Sequence, residues 1–441
     1  MQLFVTVLEA DSQLYCTSRH NQNLYWRRLR FDNAINRRNC TMGLDEPVGS
    51  KPTVLVIGAG SAGLLTAHAL QMKGAKVTVF EQDASLDARP RDWNFGIYWA
   101  QVPLQECLPE HLAKQVENAQ VDDYRAGEDE VMSIYNGRTG ELLRELPAPY
   151  NIRLARKRFL RLISQGLAIQ WNKKLTQISS DNKHTATATF SDGTTASGNL
   201  LIGAEGAHSL VREYLLNSPS SAALRPSPLV ASVTMAKLPP PAASKFKSLS
   251  RRQCINFHPS GYFNWIGIHD AYGDSQPGDW TFMMIMSWIP SDPDYDVKSL
   301  NNSSEEILQD LKSRAEEFSE DFKFLWKSIP EGTRCWHNRL SSWSPEKWDN
   351  RNGTVTLVGD SAHPMTFHRG QGLNNAILDV GLLAQQIGEK GFTAEAIEAY
   401  EQEMIPRAQE AVKTSNENSE GTHDWEKLMQ SPLMKMGLKQ K

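Results

Sequence analysis

Among its 441 residues the chain has only five cysteines, Cys16, Cys40, Cys107, Cys254 and Cys335, and none of them forms a C-x-x-C pair. That scatter argues against a zinc site or a disulfide framework and leads us to expect a reduced, cytoplasmic setting. Long apolar runs are also missing. The longest, Phe282–Pro290, is far shorter than the roughly 20 residues a membrane span needs. The start, MQLFVTVLEAD, has no basic leader and its apolar run stops at Glu9, so no signal peptide is expected. Charge of one sign is lacking too: 47 Lys and Arg face 51 Asp and Glu, for a net charge of −4. With no basic stripe, nucleic acid is not an expected partner. What remains is ordinary globular material, 40% hydrophobic and 22% charged, enough to bury a sizeable core.

Against that background one stretch stands out. Thr53–Met72 reads TVLVIGAGSAGLLTAHALQM. A short apolar run meets glycines spaced G-x-G-x-x-G and continues with helical periodicity, Leu65, Ala69 and Met72 marking one face. The spacing predicts a strand over Thr53–Ile57, a helix over Ser61–Lys73, a stop at Gly74 and a second strand over Lys76–Phe80. Gly58 permits the tight turn, Gly60 lets backbone approach a pyrophosphate, and Gly63, after Ala62, lets the helix pack on the sheet. The phosphates then rest on N–H groups at the helix's positive end. Glu81 closes the second strand, where an acid accepts hydrogen bonds from a ribose. The same charge repels a 2′-phosphate, so the bound dinucleotide is expected to be FAD or NAD rather than NADP.

The chain divides by pattern. Residues 1–41 look unlike the rest, basic and polar from Arg19 to Arg38 with no clear period. They are read as a poorly packed extension or an upstream start-site artefact, with a docked segment as the alternative. Ile152–Leu167 is predicted to be a basic-faced helix. Thr185–Phe190 alternates into an Asp192-Gly193 hairpin turn, and Leu200–Ile202 reads as a buried strand. In the middle, Leu229–Lys237, Gln253–His258, Tyr262–His269 and Trp280–Trp288 read as longer antiparallel strands. A helix follows, opened by a capping box at Ser303 to Glu306 and carrying Ile307, Leu308, Leu311 and Phe318. Thr354–Val358 is again a short strand, with a helix from about Asn374. The expected fold is therefore α/β: a Rossmann-like, parallel-sheet dinucleotide domain interrupted by an antiparallel-sheet domain. The division expected is 1–50 as extension, 51–110 with 150–225 and 340–415 as the first domain, 111–149 with 226–339 as the second, and 416–441 as tail. Trp425, Leu428, Met429, Leu433 and Met436 in that tail suit either a loose or surface-docked segment or a contact with a membrane or partner.

A second constellation, TVTLVGDSAHPMTFHRGQGLNN over Thr354–Asn375, separates the two dinucleotides. Asp360 falls just past a strand end, where its carboxylate can take the ribityl hydroxyls of a flavin. Gly370-Gln371-Gly372-Leu373-Asn374 opens a helix whose N–H groups suit the flavin edge where negative charge collects on reduction. A nicotinamide cofactor has no ribityl chain to satisfy.

Together with LIGAEGAHSLVR at Leu201–Arg212, these motifs resemble, in their order, the single-component FAD-dependent aromatic hydroxylases. That is the family of p-hydroxybenzoate and salicylate hydroxylases, and the likeness is greatest to its fungal secondary-metabolism branch. The resemblance spans roughly residues 51–411. It implies FAD as cofactor, NADPH or NADH as cosubstrate, and a flavin C4a-hydroperoxide that passes one oxygen atom from O2 to an aromatic or polyketide-like small molecule. It also implies that Arg91, with Arg89 as rival, lies near the FAD phosphates or the flavin, and that Arg156 faces the adenosine diphosphate, where a guanidinium suits bidentate contact. Pro364 is implied to lie beside the flavin ring. One departure stands out: Glu205 occupies the family's aspartate position in a segment associated with both FAD and the pyridine nucleotide. Trp99, Phe257, Trp265, Met284 and Trp288 are candidates for pocket lining. His258, His269 and Tyr262 are candidate bases, and none is assigned. Epoxidation, Baeyer–Villiger chemistry and a non-catalytic flavin-binding role remain alternatives on the same scaffold. A flavin halogenase is disfavoured because its W-x-W-x-I-P pattern is missing. Monomer and homodimer stay equally open.

Overall fold

A computed structural model describes residues 51–273, 275–292, 294–300 and 303–435. The expected N-terminal extension, Cys16, Cys40 and Met436 lie outside the described residues. Thr53–Ile57 (β1) and Lys76–Phe80 (β2) form as the sequence predicted, joined by the helix Ser61–Met72 (α1). With Ile169–Gln170 (β7), Leu200–Gly203 (β11) and Val355–Leu357 (β17) they make a five-stranded sheet in the order β17-β11-β1-β2-β7, paired in parallel throughout. Near-continuous apolar runs suit such strands, which are covered on both faces. Helix α1 is buried nearly all round, from Gly63 to Leu70. Leu65 and Ala69 face inward, whereas Met72 is exposed: it lies in the last turn, where Gly74 (φ +91°) swings the chain into β2.

The predicted helix over Ile152–Leu167 is corrected. Ile152–Ala155 (β6) is a strand paired antiparallel with Asn94–Ile97 (β3), and the helix is confined to Arg156–Ile163 (α2). Pairing with β3 satisfies four residues of backbone that a longer helix would have claimed. A separate three-stranded sheet contains Leu175–Ser180 (β8), Ala186–Phe190 (β9) and Thr195–Gly198 (β10), with the predicted hairpin turn at Gly193.

The middle of the chain builds a seven-stranded sheet. Val131–Asn136 (β4), Leu142–Pro147 (β5), Arg225–Lys237 (β12), Gln253–His258 (β13), Tyr262–Asp270 (β14), Thr281–Trp288 (β15) and Cys335–Ser342 (β16) are arranged β16-β12-β15-β14-β13-β4-β5. Pairing is antiparallel except between β13 and β4, which run parallel. Helix Leu210–Leu216 (α3) follows β11, and one face of the seven-stranded sheet packs on the helices Pro240–Leu249 (α4), Ser304–Arg314 (α5) and Glu320–Lys327 (α6) through Phe246, Ile307, Leu311, Phe322 and Trp326. Ser303 caps α5 by accepting from the Glu306 N–H at 3.4 Å, one half of the expected capping box. Phe318 is buried beyond that helix rather than on it. The opposite face presents Ile134, Ile255, Phe257, Phe263, Trp265, Met283 and Ile285. The tail helix Trp425–Gln430 and the short helix Pro432–Lys435 dock on that second face through Leu428 and Met434. Arg144 on β5 donates to the Met434 carbonyl. Between the sheets, Gly372–Lys390 (α7) packs on α1 and on the long helix Ala394–Thr422 (α8).

Candidate functional site

Three separated segments meet at the C-terminal ends of the parallel strands. Gly58 (φ +105°) leaves β1 so close to the second segment that a Cβ there would sit 2.5 Å from the Ala204 carbonyl oxygen. Gly359 (φ +60°), just past β17, packs on Ala62: a Cβ there would meet the Ala62 methyl at 2.9 Å. Glu205 ties the second segment to the third by accepting from Ser361 Oγ at 3.1 Å. The glycine turn, the segment after β11 and the segment after β17 are thus one packed unit.

The unit leaves its ligand-facing groups free. Gly63 has no room for a Cβ against the Gly58 carbonyl, whereas a Cβ on Gly60, between them, would meet nothing within 4 Å. No side chain caps the first turn of α1, so its N–H groups point out at that opening. The first turn of α7 is likewise uncapped and follows directly on Gly370 (φ +64°) and Gln371. Asp360 is exposed and, among the described residues, makes no hydrogen bond or ion pair. Desolvation by the surrounding protein still pushes its carboxyl upward, His363 opposing and Asp379 adding to the rise. A group that is walled in, unpaired and reachable by water suits a hydroxyl-rich ligand.

The remaining expected site residues take distinct positions. Glu81 Oε2 accepts the Ala59 N–H at 2.8 Å and Oε1 the Asp83 N–H at 2.9 Å, leaving lone pairs for a further donor. Glu205 is committed to protein: Oε1 takes Ser209 Oγ and the Val211 N–H, both at 2.9 Å, besides the bond to Ser361. Its carboxyl is raised by burial, against those hydrogen bonds. Arg156 stacks on Trp93 with 4.3 Å to the ring centre, and Arg91 lies over the same ring at 5.7 Å. The rival Arg89 is instead paired with Asp83 at 2.5 Å. Pro364 is buried, its carbonyl holding the Trp343 N–H at 2.9 Å. The Asn374 amide is used internally, accepting from the Tyr98 N–H and donating to the Gly96 and Gly370 carbonyls. Leu373 is half-buried against the main core.

The pocket-lining candidates separate by face. Phe257 and Trp265 lie on the face that also gathers Trp93 and Phe367. Met284 and Trp288 are corrected: they belong to the helix-packed face. Both faces of β14 and β15 are buried, so alternation carried no inside-outside signal. Among the candidate bases, His258 and Tyr262 bond to Glu317 on the helix side. His269 instead bonds Asp92 and Asn94. Trp99 donates to Gln371 Oε1 at 2.7 Å.

Several supporting residues were not singled out from the sequence. Asp379, fully buried, accepts from the Gly359 N–H, His363 Nε2 and Arg407, fixing the turn that carries Asp360. Arg212, also buried, holds the Ser361 and Ala207 carbonyls and faces Trp343. Ser361, His363 and Arg212 lie inside the motifs quoted above; Asp379 had no local signal.

Comparison with known proteins agrees with this geometry. Residues 159–415 match the FAD binding domain family, and residues 53–182 match the FAD dependent oxidoreductase family. The FAD-dependent monooxygenase cctM of Talaromyces islandicus is 51% identical over 90% of this chain and 99% of its own length. The FAD-dependent monooxygenase phnB of Penicillium herquei is 33% identical over 87% and 94%. Among solved structures, 2,6-dihydroxypyridine-3-hydroxylase from Arthrobacter nicotinovorans superposes with a TM-score of 0.69 at 17% identity, covering 85% of this chain and 94% of that one. Klebsiella pneumoniae HpxO, complexed with FAD and uric acid, gives 0.68 at 18%, covering 87% and 92%. At such identities these two bear on fold alone.

Proposed function

Because the chain belongs to the FAD-dependent monooxygenases that carry this FAD binding domain, we propose that it transfers one oxygen atom from O2 to a phenolic or polyketide-like small molecule, with NADPH or NADH as reductant. The observation that carries the reading is the meeting of Gly58, Ala62, Glu205 and Asp360 at one packed junction between two uncapped helix starts. Those residues fit FAD. Gly58, Gly60, Ala62 and Gly63 would carry its diphosphate on the first turn of α1. Glu81 would take the adenosine ribose, and Asp360 the ribityl hydroxyls. The backbone of Gly372, Leu373 and Asn374 would face the flavin's polar edge, with Pro364 beside the ring. Arg91 and Arg156 would balance phosphate charge from the Trp93 side. Glu205 would act through others, holding Ser361 and thereby the Asp360 turn.

FAD bound there supplies the two-electron and O2 chemistry. The protein's own work is to orient the substrate, exclude water and manage protons. The sheet face bearing Phe257, Phe263 and Trp265 is the surface that would lie across the substrate.

Purified protein incubated with NAD(P)H, a panel of phenols and isotope-labelled O2 tests the reading. One labelled oxygen atom in the product is expected. Insertion into a ring C–C bond or across a double bond would instead favour the Baeyer–Villiger or epoxidase alternatives. NAD(P)H consumption that no substrate stimulates would favour a non-catalytic role.

A further inference from the structure

The tail runs across the strands of the seven-stranded sheet and is clamped at both ends. At its start His423 Nε2 meets Ser287 Oγ on β15 at 2.8 Å. The chain there lies so close to the β13–β14 turn that a Cβ on Gly261 (φ +83°) would sit 2.9 Å from the His423 carbonyl oxygen. At its end Arg144 Nε on β5 donates to the Met434 carbonyl at 3.1 Å. Strands β14, β13 and β4 lie between β15 and β5, so residues 423–434 bridge five strands. Register shows which rows they cover. Ser287 stands opposite Phe263, and Phe263 opposite Phe257. Arg144 stands opposite Ile134, Ile134 opposite Ile255, and Ile255 opposite Trp265. The two clamps thus fall in the rows of Phe263 and Trp265, the aromatic surface assigned above to the substrate. Leu428 and Met434 are buried against it, while Met429 is exposed.

The first clamp also reaches the loop before α7. Ser287 Oγ lies 2.9 Å from His368 Nε2 as well. His368 Nδ1 is 2.7 Å from Ser419 Oγ, which is itself 2.7 Å from Thr366 Oγ1. His423 Nδ1 is 2.6 Å from the Ser419 carbonyl oxygen. A carbonyl only accepts, so His423 carries its proton on Nδ1. Burial keeps both imidazoles neutral, pulling His423 down to about 4 and His368 well below its ordinary range. His423 Nε2 then accepts from the Ser287 hydroxyl, and the Ser287 oxygen accepts from His368 Nε2–H. Both rings lie against Phe263, with centres 4.7 Å away for His368 and 6.2 Å for His423. Apolar packing is non-directional, whereas this chain of bonds fixes one arrangement of tail, sheet and loop. We propose that residues 424–435 form the outer wall of the substrate chamber. Leu428 and Met434 limit how far a flat ring system extends along the aromatic rows. Ser287, through His423, positions that wall against the Thr366–His368 loop. Shortening either wall side chain lengthens the ring system admitted. This rests on the monooxygenase reading above and names what sets the size of its substrate.

The test uses the FAD-loaded enzyme and three probes of one, two and three rings: phenol, 2-naphthol and 9-phenanthrol. Binding is read by calorimetry and by perturbation of the flavin spectrum. Leu428→Ala and Met434→Ala are each expected to improve 9-phenanthrol binding relative to phenol at least about tenfold, because the larger ring refills the apolar space the side chain vacates. Met429→Ala, on the outer side of the same helix, should keep the wild-type ratio. Ser287→Ala is expected to shift the ratio in the same direction. It should also speed amide hydrogen exchange over residues 425–430 at least about tenfold while leaving β1 unchanged. Should Leu428→Ala fail to fold, Met434→Ala and Ser287→Ala decide the matter. The proposal is overturned if the folded variants keep the wild-type ratio, if Met429→Ala shifts it equally, or if no probe binds any FAD-loaded protein of the set. Faster tail exchange in Ser287→Ala with an unchanged ratio would likewise overturn it, making the tail purely structural. Failure of the wild type to hold FAD at all would strike the monooxygenase reading instead.

Discussion

At the residue scale, three glycines in one motif carry different burdens. Gly58 combines φ +105° with a backbone contact that no side chain tolerates. Gly58→Ala is therefore expected to cost roughly 1–3 kcal/mol of stability, visible in a denaturant titration. Gly60 has φ −77° and open space around it. Gly60→Ala should fold with stability within about 1 kcal/mol of wild type, alanine's poorer N-capping being offset by the smaller entropy of the unfolded chain, yet lose FAD affinity, because the new methyl would occupy the space proposed for the diphosphate. Equal FAD content in Gly60→Ala and wild type would show that the diphosphate lies elsewhere. Glu205 stands where the family resemblance implies an aspartate. Its two oxygens serve Ser209, Val211 and Ser361, and an aspartate reaches one methylene less. Glu205→Asp is expected to retain FAD after gel filtration; cofactor loss in that variant would place Glu205 in direct contact with FAD rather than behind the Asp360 turn.

At the element scale, the docking of α8 against β17 runs through a buried carboxyl. Glu401 accepts from Trp348 Nε1, Asn350 Nδ2 and Thr356 Oγ1. Burial outweighs those bonds and raises it to about 7. Unfolded, the same group titrates near 4.3. Between about pH 4.3 and 7 the unfolded chain has given up this proton while the folded one keeps it, so stability falls as pH rises through that window. Glu401→Gln should flatten the difference between urea midpoints at pH 5 and pH 8; an unchanged difference would mean Glu401 is ionised in the fold at both. Elements also show where sequence was readable. The β1–α1–β2 unit was legible because its turn, stop and periodicity are all local. Ile152–Ala155 was not, because four residues of strand run directly into an arginine-rich helix and only the distant β3 makes them a strand. The facing of Met284 and Trp288 was unreadable because helices cover one side of their sheet while the tail and the Phe367 loop cover the other.

At the scale of the whole molecule, the parallel sheet brings motifs some 150 residues apart to one edge, and the antiparallel sheet lies across them. Sequence order carried the motifs, but their contact at Gly359 and Ala62 is tertiary. The tail completes the assembly: of the docked and partner-contact readings, docking holds for the described part, through Leu428 at 2% exposure. Leu428→Ala should cost about 2–5 kcal/mol in urea unfolding; a cost near zero would make the tail dispensable. The proposed function rests on a single FAD that would be held at its diphosphate by the Gly58–Gly63 turn and along its ribityl chain by Asp360. The most direct measurement is the visible spectrum of the purified protein and of its Gly60→Ala and Asp360→Ala variants after incubation with FAD and desalting. The account predicts the two visible bands of oxidised flavin at one FAD per chain in the wild type, and marked depletion in both variants. A wild-type protein that is folded and colourless, and stays so after added FAD, would contradict it.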